Sequence, residues 1–175
     1  MARHTISEDS TIYHYTLLLR FTRKHPFCWV YTGTLLLWAL ADAAYLGLLG
    51  LLLFLGSLTA AAAFQAGITL LLRRMSPGTV PRFWEWSVAY PFAGYLPAGY
   101  VPVGQWSRAN LHRLLTGISL IALLYVWLPG SWLANVAAAH ILLLLPQLVY
   151  IGACRRKLEG GLVKATPAEI SLYRT

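Results

Sequence analysis

Acid–base chemistry needs a carboxylate or imidazole beside a second group that orients it. The chain offers little of this: its six acidic residues are Glu8, Asp9, Asp42, Glu85, Glu159 and Glu169, and its five histidines are scattered. Of the acids, only Asp42 and Glu85 fall near the long apolar stretches, and these two are expected at opposite faces of a bilayer. An enzyme acting on a lipid at the cytoplasmic interface would have to be built from Glu85, His25, His112 and the neighbouring arginines. There is no Ser-His-Asp spacing, HExxH, Gly-Lys-Ser/Thr phosphate loop or histidine box. Cys28 and Cys154 stand apart, outside any CxxC pair, and read as free thiols on the reducing side rather than metal ligands.

Polar side chains within apolar sequence are the remaining candidates, since such residues mark functional or helix-packing positions in a membrane. Ser57, Ala61, Gln65 and Thr69 recur every fourth residue and share one helix face. His140 and Gln147, seven apart, share another, and His112, Thr116 and Ser119 a third. All three stripes are expected to point into the bundle, where small and polar residues let helices approach and bond. If the stripes instead formed a continuous lining, an oligomeric transporter or channel would be the alternative function. Paired histidines on neighbouring helices suggest haem ligation. Depth opposes it: His112 lies about four residues, roughly 6 Å, inside its helix, and His140 about fourteen residues, roughly 20 Å, from the cytoplasmic end of its own. No cofactor and no metal is expected.

Gln65 and Gln147 each precede a basic pair by eight residues, in "AAAAFQAGITLLLRR" and "LLLLPQLVYIGACRR", a weak direct repeat that predicts equal depth for the two glutamines. Aromatic residues concentrate between these segments. Trp84, Trp86, Tyr90, Tyr95, Tyr100 and Trp106 are the types that settle at the headgroup level, and they are the candidate docking residues for a partner or the interface. The segment from Pro81 to Tyr90 predicts an interfacial helix. "GYLPAGYVPVG", Gly94 to Gly104, predicts ordered chain that is neither helix nor sheet, polyproline-like, with glycines 94, 99 and 104 supplying bends and Tyr95 and Tyr100 pointing the same way.

The elements that position these residues follow from composition. With 58% hydrophobic and 11% charged residues, against about a quarter charged in soluble proteins, the expected fold class is an all-α, multi-pass membrane protein. Phe27 to Leu72 is long enough for two spans of about twenty residues, with the turn marked by Asp42, which would cap the second helix, or by Gly47 to Gly50. A second hairpin runs from Ser107 to Leu128 and Trp132 to Cys154, joined by "PGS". The expected organisation is an N-terminal segment (1–25), a first transmembrane hairpin (26–74), an aromatic, proline-rich interfacial connection (75–106), a second hairpin (107–154) and a basic tail (155–175). The polar start, Met1 to Thr16, does not read as a cleaved signal.

Arg20, Arg23, Lys24, Arg73, Arg74, Arg108, Arg113, Arg155, Arg156 and Lys157 all fall at one set of helix ends, and neither outer turn carries a basic residue. Basic residues at helix ends stay cytoplasmic, so both termini and the connection are expected inside, in a bacterial-type inner membrane. The net charge of +8 suits anionic lipid headgroups and requires no nucleic acid. The function expected on these grounds is non-catalytic: an accessory or scaffold subunit whose partners are lipid and a larger membrane protein, or further copies of itself.

Overall fold

The computed structural model describes residues 16–75, 84–155, 161–166 and 169–174. Four helices make up most of these residues: α1 (Pro26–Leu46), α2 (Leu48–Met75), α3 (Val103–Leu124) and α4 (Gly130–Arg155). Three of them, α1, α2 and α4, are long and apolar enough to cross a membrane. α3 carries Arg108, His112 and Arg113 in its first half and is not among them.

α1 starts with Pro26 in its first turn, where the missing N–H costs nothing. The His25 side chain caps the helix by accepting from the Phe27 N–H at 3.2 Å. The helix runs through Asp42 and stops at Gly47, whose φ of 64° breaks the ladder. A residue without Cβ takes that conformation without steric cost, so the first hairpin turns at Gly47 and Asp42 is not the cap of α2. The second hairpin turns at Pro129: Leu133 N–H donates to Pro129 C=O, and α4 continues unbroken through Pro146. α4 lies between α2 and α3, and α1 packs along α2.

Strands accompany the helices, which departs from the all-α expectation. β1 (Thr16–Thr22), β4 (Val101–Pro102), β5 (Leu162–Thr166) and β6 (Glu169–Arg174) form a sheet in the order β1-β6-β5-β4, antiparallel throughout. β2 (Trp84–Ala89) and β3 (Phe92–Pro97) form a separate hairpin, with Trp86 opposite Tyr95. The first and last described strands therefore join one sheet, held at its edge by an Arg20–Glu169 ion pair.

The larger core sits where these strands meet the helix ends. Phe21, Phe92, Leu96, Val163, Ile170 and Leu172 from the strands pack with Trp106, Tyr150 and Ile151 from the helices. That cluster draws on the start of α1 and α3 and the end of α4, so the strands cap one end of the bundle. A smaller cluster, Phe54, Ala138 and Leu142, joins α2 to α4 along the bundle.

Candidate functional site

Two polar clusters lie inside this frame. The first joins α2, α3 and α4. Ser57, Ala61, Gln65 and Thr69 are all buried, as their four-residue spacing predicts. Gln65 Nε2 lies 3.4 Å from His140 Nδ1 and 3.3 Å from the His140 carbonyl, and the Thr69 hydroxyl donates to the Gln65 carbonyl at 2.8 Å. The other edge of the His140 imidazole rests on Gly117 of α3; a Cβ at that position would overlap the ring. Only glycine permits this approach. Nearer the Pro129 turn, the Trp38 indole donates to buried Asn135 at 3.1 Å and so ties α1 to α4.

The second cluster lies under the strand cap and is built on Arg113, which is 1% exposed. Nη1 reaches Gln147 Oε1 at 3.4 Å and Asn110 Oδ1 at 3.5 Å, and Nη2 reaches the Tyr95 carbonyl at 3.3 Å. The guanidinium carbon sits 5.2 Å from the centre of the Trp84 ring. Gln147 in turn donates to the Ala93 carbonyl at 3.2 Å. Two side chains, one on α3 and one on α4, thus hold successive parts of the β3 backbone. All the hydrogen-bond partners are neutral, and Arg113 Nε has none among the described residues.

Several expectations change with this geometry. Gln65 and Gln147 both face inward, but at different depths. Gln65 meets His140, which is seven residues or about 10 Å along α4 from Gln147, so a shared offset from a basic pair did not translate into a shared level. The third stripe points outward: His112, Thr116 and Ser119 are exposed, and α3 buries Trp106, Asn110, Arg113 and Gly117 instead. The interfacial helix at 81–90 is replaced by strand β2 from Trp84, residues 81–83 lying outside those described. The polyproline-like stretch is β3, then β4, then the first turn of α3. Only Gly94 of its glycines has a positive φ, 111°. Tyr95 and Tyr100 face different neighbours, Trp86 and Tyr173 respectively.

The candidate docking aromatics divide into two groups. Trp84 and Trp106 are buried in the chain's own core and present no free face. Trp86, Tyr90 and Tyr100 remain exposed by 49%, 38% and 40%, with Tyr95 half-buried beside Trp86. Trp84, Trp86 and Val88 alternate onto one face of β2, which passes from 2% exposed at Trp84 to 62% at Val88. The turn does not project, since Phe92 is buried in the core and the Tyr90 hydroxyl bonds Thr32 of α1; what stays exposed is the outer face of β2 at Trp86 and Val88.

Of the residues proposed for interfacial acid–base chemistry, His25 is occupied as a helix cap, while Glu85 and His112 are exposed. Among the described residues no three His, Cys, Asp or Glu side chains gather as a metal-binding group. Arg113, which the sequence presents as one of the basic residues at a helix end, is instead the buried centre of this cluster. The spacing 106, 110, 113, 117 on α3 was the available signal. Comparison with protein-family models, with curated proteins and with solved structures finds no match.

Proposed function

We propose that the chain is a four-span inner-membrane protein with both termini and the strand cap in the cytoplasm, acting as a non-catalytic accessory or scaffold subunit. Its docking surface is the exposed outer face of β2, with Trp86 and Val88 as the contact residues.

The observation that carries this reading is the change of environment along a single strand face. Trp86 and Val88 continue the apolar face that begins at buried Trp84, yet they stay 49% and 62% exposed although β3 beside them is held to the bundle. Arg113 and Gln147 hold the carbonyls of Tyr95 and Ala93, the β3 partners of Trp86 and Val88, which keeps the exposed face in a defined position. A preformed aromatic surface binds with little ordering cost, and exposed apolar patches of this kind mark interaction sites. The transport alternative is weakened because the intramembrane polar groups are spent on one another, Gln65 on His140 and Asn135 on Trp38.

Purification from native membranes in mild detergent, followed by mass measurement of the intact assembly, tests the proposal. A defined assembly with a different polypeptide is expected. A homo-oligomer would favour the transporter or channel reading, and a monomer would remove both.

A further inference from the structure

We propose that the cavity between α1 and α4, at the end of the bundle away from the strand cap, binds an organic ammonium group. The Asp42 carboxylate is its counter-charge, and Trp38 and Tyr45 are its aromatic walls. The inference uses no part of the β2–β3 hairpin and stands apart from the docking role.

Nothing on the chain balances Asp42. It is the only formally charged side chain from Pro26 to Leu72, and Leu114 to Cys154 adds none. It stands sixteen residues along α1 from Pro26, about 24 Å from the end of the helix where the basic residues gather. Oδ2 is buried without a hydrogen-bond partner, and no ion pair with a described residue reaches the carboxylate. The first turn of α4 does not neutralise it, since none of its N–H groups bonds Oδ2. Gly50 of α2 lies so close to the Asp42 carbonyl that a Cβ there would overlap it, which fixes this turn of α1 in place. Carboxylates within membrane-spanning helices are costly and mark functional sites.

Asp42 lines a cavity of about 300 Å³ together with Trp38 and Tyr45 of α1 and Ser131 and Ala134 of α4. Small-ligand pockets start at about this volume. Asp42 is half-buried while its Oδ2 is enclosed, so Oδ1 is the oxygen open to an occupant. Trp38, Asp42 and Tyr45 are spaced by four and by three. That spacing stacks them on one face of α1, with a ring one turn to either side of the carboxylate. The Trp38 indole is held there by its bond to Asn135.

The lining selects the ligand class. A bare divalent cation takes six or more oxygens, and the side chains here offer one carboxylate and the Ser131 hydroxyl. Aromatic faces instead attract ammonium groups that carry carbon. Asp42 lies four residues before α1 ends at Leu46, and Trp and Tyr are the types that settle at the headgroup level. At that level the ammonium comes from a lipid headgroup of the same leaflet or from a soluble cation in the adjoining water, and both present the same group to Asp42.

The test uses the whole protein in a maltoside detergent, which is neutral and free of amines. Calorimetric titration compares choline with 3,3-dimethylbutan-1-ol, a molecule of the same shape without the charge. Saturable one-to-one binding of choline is expected, about tenfold tighter than the alcohol. Asp42→Asn, which keeps the shape of the side chain, is expected to reduce choline to the level of the alcohol, and Tyr45→Leu to weaken choline about threefold. A second arm adds phosphatidylethanolamine and phosphatidylglycerol in equal amounts before native mass measurement. Selective retention of phosphatidylethanolamine by the wild type, lost in Asp42→Asn, together with a fall in apparent choline affinity, assigns the site to a lipid headgroup. Choline binding that the lipid leaves unchanged assigns it to a soluble cation. The proposal is overturned if the wild type neither prefers choline nor retains phosphatidylethanolamine selectively, or if either preference survives intact in Asp42→Asn. The wild-type comparison of choline with the alcohol decides even where a variant does not fold.

Discussion

Arg113 places a cation in a dry setting with only neutral oxygens and an aromatic face around it. Hydrogen bonds to a charged donor contribute about 1.5–3 kcal/mol each, and leaving one partner buried and unpaired costs about 1–3 kcal/mol. Gln147→Leu removes an acceptor from Arg113 and the donor to Ala93 at once, so it is expected to lower stability by about 2–3 kcal/mol. Equilibrium unfolding in detergent measures this. Arg113→Lys is not expected to substitute, because a single ammonium cannot reproduce the planar fork that reaches Tyr95, Gln147 and Asn110 together. At the other cluster, Gly117→Ala drives a methyl into the His140 ring and is expected to cost about 1–3 kcal/mol by overpacking. Gly56→Ala, with nothing near its Cβ position, is the matched control and is expected to leave the unfolding midpoint unchanged or slightly raised. Gln65→Leu is expected to cost about 1 kcal/mol, the size of an interhelical hydrogen bond. The inward position of Gln65 was legible because every fourth residue of α2 is small or polar. That of Arg113 was not, since counting basic residues by helix end treats each as wet.

The elements divide along the same line. Helices and their approximate ends were legible from apolar length, and the Pro129–Gly130 turn from its residue types. The strands were not, because each signal was shared with another reading. "GYLPAGYVPVG" contains prolines that central strands exclude, but Pro97 ends β3 in a two-stranded hairpin and Pro102 lies in a two-residue strand. Such edges tolerate proline. β1 and β6 pair with each other across more than 140 residues, Thr16 with Arg174 and Thr22 with Glu169, and no local periodicity announces a partner so distant. Asp42 misled as a turn marker because capping depends on where the backbone leaves the helix, and Gly47 decides that. At this scale the hairpin yields a separable prediction. Replacing Trp86 and Val88 together by serine removes exposed apolar surface while leaving Trp84, Phe92 and Leu96 in the core. The double variant is expected to keep the helical circular-dichroism signal and unfolding midpoint of the parent within about 1 kcal/mol. It is expected to lose the heteromeric assembly in native mass measurement. Retention of that assembly would move the docking surface elsewhere.

For the molecule as a whole, the strands pack where α1 and α3 begin and α4 ends, and Arg20, Lys24, Arg73, Arg74 and Arg108 belong to the same end. The other end has only the Gly47 turn and the 125–129 turn, with Tyr125, Val126 and Trp127 exposed and no basic residue. A one-sided charge distribution directs the basic end inward, and that orientation is the claim on which the cytoplasmic docking surface stands. Cys28 and Cys154 are buried, so a new surface cysteine can be followed over a low background. Val126→Cys and Val88→Cys, at positions 74% and 62% exposed, are to be treated in intact cells with a thiol reagent that does not cross membranes. Val126→Cys is expected to react in intact cells and Val88→Cys only after permeabilisation. Reaction of Val88→Cys from outside, or of neither variant before permeabilisation, would contradict the orientation and with it the proposed role.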